Sequence, residues 1–97
     1  MITQDEFAGM ISDEELNRMR WASRRGMLEL DLVLEPFVAA RYIHLDASER
    51  KVFQQLMLCE DQDLFSWFLR REQPGDEEFA ALVRKILEFT RAPPEAR

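Results

Sequence analysis

Apolar residues recur at helical spacing along most of the chain, whereas the strict alternation expected of β-strands is absent. The clearest stripe, at the i, i+3, i+4 and i+7 positions of one helix face, consists of Leu30, Val33, Leu34 and Phe37. Glycines and prolines interrupt the chain at only a few places, so the apolar stripes divide into short segments. This pattern predicts an all-α fold, a compact bundle of five short helices.

The first helix is predicted from its capping signals. Ser12 and Glu15 have the spacing of a capping box, in which the serine side chain accepts a hydrogen bond from the backbone at the start of the helix. Gly26 is the next residue suited to ending a helix, because glycine readily adopts the left-handed conformation of a C-cap. We therefore expect this helix to begin after Ser12, to run to about Arg25 and to stop at Gly26.

Similar signals predict four further helices. The second begins between Met27 and Glu29, and we expect a kink or a restart at Pro36, because proline has no backbone N–H to donate. A connector of residues 42–45 follows it. The remaining three helices begin at Asp46, at Asp61 or Gln62, and at Asp76.

The length of the chain limits how it can be organised. Its 97 residues suffice for one hydrophobic core and leave no room for a separate cofactor domain. We assign residues 1–11 to an N-terminal extension without a role and residues 12–92 to one helical domain. Residues 93–97, which begin with Pro93-Pro94, are expected to form a loose C-terminal tail.

Charge and cysteine content exclude several classes of protein. The net charge of -6 argues against a nucleic-acid-binding protein, because phosphate recognition requires a basic surface. The single cysteine, Cys59, excludes an internal disulfide and fits a reducing compartment. No apolar run approaches the roughly 20 residues of a membrane span, and no basic residue precedes Arg18, unlike a signal peptide or an arginine-rich presequence. We expect a protein of the bacterial cytoplasm that does not insert into the membrane.

The sequence contains no recognisable catalytic constellation. His44 is the only histidine and has no second ligand at metal-binding spacing, and Cys59 lies on a predicted apolar helix face. No nucleophile elbow, dinucleotide-binding glycine motif or P-loop is present. Asp61 and Asp63 could form an acid–base pair, but the helix dipole explains acids in a first turn. We therefore expect a binding protein, without enzymatic activity and without a bound metal.

The run Arg24–Asp31 places a glycine between two arginines and two acids, in a chain that has only three glycines. One interpretation is structural: Gly26 ends one helix and the acids open the next. The other is a docking site, in which Gly26 lets the backbone of a partner approach because it has no Cβ. The residues alone leave both interpretations open.

In the docking interpretation the neighbouring side chains have separate roles. Arg25 offers a planar donor fork to a carboxylate or carbonyl of the partner, and Glu29, one turn further along, accepts from the partner or orients Arg25. Asp31 belongs to the same acidic strip, and Arg24 contributes long-range steering. Trp21, next to the arginines, is as compatible with an interface as with the core.

Two blocks of sequence carry a family resemblance. The first block, residues 20–37, contains R-G-x-x-E at Arg25, Gly26 and Glu29. The second block, residues 42–67, contains Tyr-Ile-His-Leu, Glu-Arg and Asp-Gln-Asp-Leu-Phe-Ser-Trp. In this order and at this spacing, they resemble the bacterial SdhE (YgfY-type) assembly factors of succinate dehydrogenase, over roughly residues 13 to 90.

The resemblance implies the same helical fold class and a role as an assembly factor or chaperone. Members of the family promote covalent attachment of FAD to the flavoprotein subunit of succinate dehydrogenase, and some act on fumarate reductase. A histidine of the flavoprotein forms the bond, so we expect this chain to bind that subunit as a monomer and to hold no FAD stably itself. An antitoxin-type protein, which pairs with a small membrane protein, is the alternative, because relatives have carried that label.

Overall fold

The structure, a computed structural model, describes residues 11–92, which form five α-helices, one 3₁₀ turn and no strand. In chain order these elements are α1 (Asp13–Ala22), α2 (Leu28–Arg41), the 3₁₀ turn (Tyr42–His44), α3 (Ala47–Leu56), α4 (Asp61–Phe68) and α5 (Glu77–Arg91). The predicted all-α bundle of five short helices is confirmed. The predicted extension and tail lie outside the described residues, except for Ile11, and the division into these segments stays a prediction.

Three helices begin at the capping residues that the sequence indicated. The side chain of Ser12 accepts from the backbone N–H of Glu15 at 3.0 Å, and Asp46 forms a complete capping box with Glu49. Asp76 caps α5 by accepting from two backbone N–H groups. These bonds satisfy donors that have no partner within the helix, which is why the helices start at these positions.

The predicted end of α1 is wrong. The helix stops at Ala22, and Ser23, which is fully buried, caps it and donates through its hydroxyl to the carbonyl of Arg20 at 2.8 Å. The backbone N–H of Arg25 donates to the carboxylate of Asp31 at 2.7 Å, and the chain leaves the helical path. Gly26 has the left-handed φ of +80° that the C-cap interpretation expected, but it lies within the loop and not at the helix end. We call residues 23–27 the Gly26 loop.

Helix α2 lies at the centre of the bundle. It runs as one element through Pro36, so the helix does not restart there, and it packs against α1, α4, α5 and the 3₁₀ turn. Its predicted stripe, together with Val38, is buried in the core. The Phe37 ring lies 6.0 Å from that of Phe53 on α3 and 5.7 Å from that of Phe89 on α5, measured between centroids. Leu30, which is fully buried, fixes the N-terminal end of α2, which follows directly after the Gly26 loop.

Candidate partner-binding surface

Gly26 is exposed on an open surface of the protein. A Cβ built on it would meet no atom within 4 Å. Internal packing therefore does not require glycine at this position, whereas the φ of +80° favours it, because side chains clash with the backbone in that conformation. The backbone at Gly26 is accessible to another polypeptide.

Arg25 faces the protein and holds the Gly26 loop in place. Its Nε donates to Asp61 Oδ1 at 2.7 Å, and its Nη2 donates to the carbonyl of Cys59 at 2.8 Å. Its Nη1 donates to the carbonyls of Ala22 at 2.9 Å and Met57 at 2.8 Å. These bonds use four of the five N–H groups of a guanidinium, and only 16% of the side chain is exposed. The prediction that Arg25 presents its donor fork to a partner is therefore corrected: the fork is bonded within the chain.

The two acids of the motif differ in their surroundings. Asp31 is partly buried, and its carboxylate holds the Arg25 backbone, so it stabilises the loop from inside. Glu29 is exposed in the first turn of α2, and its carboxylate forms no hydrogen bond or ion pair with another residue of the range 11–92. It does not orient Arg25, whose donors are engaged elsewhere. Acceptance of a hydrogen bond from a partner by Glu29 stays a prediction.

Trp21 and Arg24 form a surface stack beside the loop. The Trp21 side chain is 71% exposed, so of the two interpretations left open by the sequence, the core position is excluded. The guanidinium carbon of Arg24 lies 5.2 Å from the centroid of the Trp21 ring, which is a cation–π arrangement. Arg24 Nε also donates to Glu35 Oε1 at 2.8 Å, so the positive charge that was predicted to steer a partner is paired within the chain.

Two exposed leucines of α2 were not predicted from the sequence as part of the candidate surface. Leu28 is 68% exposed and Leu32 is 63% exposed, one helical turn apart. Glu35 lies on the same face of α2, one turn after Leu32. Arg24 contacts both Glu35 and the Trp21 ring, so Trp21 and the two leucines lie along one side of the bundle. We call Trp21, Leu28 and Leu32 the apolar patch. The signal that could have revealed the two leucines is their position outside the buried stripe of α2.

An open cleft lies on another side of the Gly26 loop. It has a volume of about 700 Å³ and is lined by Met27 and by the start of α4, including Asp61, Gln62 and Phe65. The guanidinium of Arg70, which also lines it, stacks over Phe65 with the guanidinium carbon 5.6 Å from the ring centroid. The cleft adds space for a partner side chain next to the exposed backbone.

The remaining candidates for chemistry are Cys59 and His44. Cys59 lies three residues beyond the end of α3, and not on a helix face as predicted. Burial raises the pKa of its thiol, with Asp63 adding to the rise and Arg25 opposing it, so the thiol is not activated as a nucleophile. His44 is exposed in the 3₁₀ turn. Within residues 11–92 no cluster of acids, histidine and cysteine could hold a metal, and no helix is long and apolar enough to span a membrane.

Comparison with known proteins places this geometry in context. Residues 17–90 match the family model described as "Flavinator of succinate dehydrogenase". The chain is 51% identical over 79 residues to the FAD assembly factor SdhE of Pseudomonas savastanoi pv. phaseolicola, which covers 81% of this chain and 94% of the relative. It is 49% identical to that of Pseudomonas aeruginosa over the same shares, and 46% identical over 74 residues to that of Idiomarina loihiensis, covering 76% and 82%. The matched region contains the Gly26 loop and the apolar patch.

Proposed function

The chain belongs to the family of succinate dehydrogenase flavinators, and we propose that it binds the flavoprotein subunit of succinate dehydrogenase and promotes covalent attachment of FAD to that subunit. The name shared by its relatives, FAD assembly factor, supports this function. In this proposal the chain acts by binding, and the FAD is the cofactor of the flavoprotein. The proposal extends to fumarate reductase only if its flavoprotein presents the same surface.

The observation that carries the proposal is the open, left-handed backbone at Gly26. The bonds of Arg25 to Asp31 and Asp61 hold the residue before Gly26, and α2 begins two residues after it, so the exposed backbone is held in one conformation before a partner arrives. A preorganised surface binds more tightly, because less conformational entropy is lost on association. The apolar patch and the Glu29 carboxylate, which has no partner among residues 11–92, supply apolar and polar contacts around it.

Binding promotes attachment only if it distinguishes between conformations of the flavoprotein. A protein that bound all conformations equally would shift none of them, however tight the complex. A tenfold increase in the attachment-competent population requires about 1.4 kcal/mol of preferential binding. A rigid surface is suited to this task, because it fits one arrangement of the partner and not the others.

The proposal is tested by reconstitution with the purified apo-flavoprotein subunit and FAD. Covalently bound flavin is measured by fluorescence of the subunit in a denaturing gel, with wild-type chain and with Gly26→Arg. We expect Gly26→Arg to lose most of the stimulation, because its side chain occupies the open surface. The left-handed φ costs the variant about 1–2 kcal/mol, less than the roughly 5–15 kcal/mol that stabilise a domain, so its helical circular dichroism should persist.

Gly75→Arg is the matched control. Gly75 is also exposed with nothing within 4 Å of a built Cβ, and it lacks the positive φ of Gly26, so the variant adds the same charge and bulk elsewhere. It should support attachment as the wild type does. Full stimulation by a folded Gly26→Arg chain would refute the docking role of Gly26, and no stimulation by the wild-type chain would refute the function itself.

A further inference from the structure

The Arg25 side chain joins the two sequence blocks of the protein into one site. Its ionic partner, Asp61, lies 36 positions further along the chain, in the first turn of α4. The other three acceptors of the guanidinium, on Ala22, Met57 and Cys59, are neutral backbone carbonyls. Asp61 is therefore the one charged group that holds the Arg25 guanidinium in the described part of the chain.

The position of Asp61 allows it to control the Gly26 loop. Every hydrogen bond of the guanidinium is charge-assisted, but only the bond to Asp61 joins two ionised groups, so this carboxylate adds a coulombic attraction that the three carbonyls lack. Arg25 is the residue directly before Gly26, and its backbone is already bonded to Asp31. When the side chain is fixed by Asp61 as well, both the backbone and the side chain before Gly26 are held.

We infer that Asp61 is a positioning residue for partner binding, which acts through Arg25 and sets the conformation of the Gly26 loop. This inference rests on the proposed function, because it concerns the same surface. The carboxylate of Asp61 binds the Arg25 guanidinium, and its role is to keep the loop in the conformation that the partner recognises. The pairing with Arg25, and not acid–base chemistry with Asp63, is what this acid contributes.

The chain offers a matched control for the test. Asp63 lies two residues after Asp61 in the same first turn of α4, is exposed, and has no ion pair with another described residue. Asp61→Ala and Asp63→Ala therefore remove the same charge from the same helix end, but only Asp61→Ala removes the partner of Arg25. Asp61→Glu restores the carboxylate and serves as the conservative variant.

The first measurement reports on the loop without any partner. The chain has three glycines, Gly9, Gly26 and Gly75, so the glycine amide resonances in a ¹⁵N spectrum are few and can be assigned by substitution. We expect Asp61→Ala to shift or broaden the Gly26 amide resonance and the Nε–H resonance of Arg25. Asp63→Ala should leave both in place, and Asp61→Glu should restore them at least in part.

The second measurement is the affinity of each full-length variant for the purified flavoprotein subunit. We expect Asp61→Ala to weaken binding by about tenfold, because the loop must be reordered on association. Asp63→Ala should stay within about twofold of the wild type, as expected for an exposed surface charge. Urea unfolding of the same variants shows whether any loss of binding merely follows a loss of folded protein.

The results separate this inference from the proposed function. The positioning role is supported if Asp61→Ala, but not Asp63→Ala, shows both weak binding and a displaced Gly26 resonance. Weak binding with an unchanged resonance, or equal losses in both alanine variants, would overturn it, since the acids would then contact the partner directly. If Asp61→Ala binds as the wild type does while Gly26→Arg binds weakly, the inference is overturned and the proposed function stays intact. Unchanged binding of Gly26→Arg contradicts the docking site itself.

Discussion

The hydroxyl of Tyr42 donates a hydrogen bond to the Glu15 carboxylate at 2.9 Å and accepts one from the Gln54 side chain at 3.0 Å. Tyr42 is fully buried, and Arg50 Nε lies 3.3 Å from the same oxygen of Glu15. The network joins α1, the 3₁₀ turn and α3 through side chains. It leaves no buried side-chain polar atom without a partner within residues 11–92.

We expect Tyr42→Phe to lower the free energy of unfolding by about 1–2 kcal/mol. The ring can keep its place 5.5 Å from Phe53, so the loss comes from the hydroxyl and not from a cavity. Glu15 then keeps only Arg50, and the amide of Gln54 loses an acceptor, which is the costly case of an unpaired partially buried group. Urea denaturation with unchanged helical circular dichroism measures the effect, and a change below about 0.5 kcal/mol would contradict the role given to the hydroxyl.

The same tyrosine should make stability fall at high pH. Burial raises the pKa of Tyr42 to about 12, with Glu15 adding to the rise and with Gln54 and Arg50 opposing it. The unfolded chain has a tyrosine pKa of about 10, so it releases its proton first as the pH increases. The contribution of Tyr42 is therefore complete below pH 10 and is lost as the pH rises from there through about 12.

Because the chain has one tyrosine, its ionisation can be followed directly by tyrosinate absorbance. The native protein should titrate near pH 12 and the urea-unfolded protein near pH 10. Between pH 9 and about 11, wild type should lose more stability than Tyr42→Phe, which lacks the titrating group. Equal losses, or a native midpoint near 10, would show that burial does not hold the proton.

The fold could be predicted from the sequence where the determinants are local. Helix starts at Ser12, Asp46 and Asp76 follow from side chains that cap the nearest backbone N–H groups, and the structure confirms all three. The end of α1 could not be predicted, because it depends on the bond between the Arg25 backbone and Asp31, across a loop whose shape is set by tertiary contacts.

The exposure of two residues of the candidate site agrees with the sequence, but the direction of the Arg25 side chain could not be predicted from it. Gly26 and Glu29 are exposed as the docking interpretation required. The Arg25 side chain faces the protein because its hydrogen-bond acceptors lie on α1, on the loop before α4 and on Asp61. No local sequence pattern indicates that these segments lie close together. Tyr42 was expected only as part of a connector, and its burial could not be predicted for the same reason, because it depends on contacts with residues distant in the sequence.

The conformational role of Gly26 can be separated from its role in docking by alanine. Gly26→Ala should lower the free energy of unfolding by about 1 kcal/mol, because alanine is strained at a φ of +80°. Gly75→Ala should change it little, since Gly75 lacks a positive φ and a Cβ there also meets nothing within 4 Å. Thermal or urea unfolding of the two variants measures the difference, and equal effects would contradict strain as the reason for glycine at position 26.

The apolar patch should contribute to affinity for the flavoprotein but not to the stability of the chain. Trp21→Ala removes a ring that is 71% exposed, so it leaves no cavity and should change the free energy of unfolding by less than about 0.5 kcal/mol. Tryptophan is enriched among the few side chains that carry most of the binding energy of an interface. We therefore expect at least about tenfold weaker binding to the flavoprotein subunit, measured by titration calorimetry.

Ile43→Ala controls for the loss of an exposed apolar side chain in general. Ile43 is 52% exposed in the 3₁₀ turn, beyond the C-terminal end of α2, whereas Leu28 begins that helix. The 14 residues of α2 separate the two positions by about 20 Å, so a partner centred on the Gly26 loop should not depend on Ile43. Binding by Ile43→Ala should match the wild type. If Ile43→Ala and Trp21→Ala weakened binding equally, the contact would not be centred on the patch, and its location beside Gly26 would have to be abandoned.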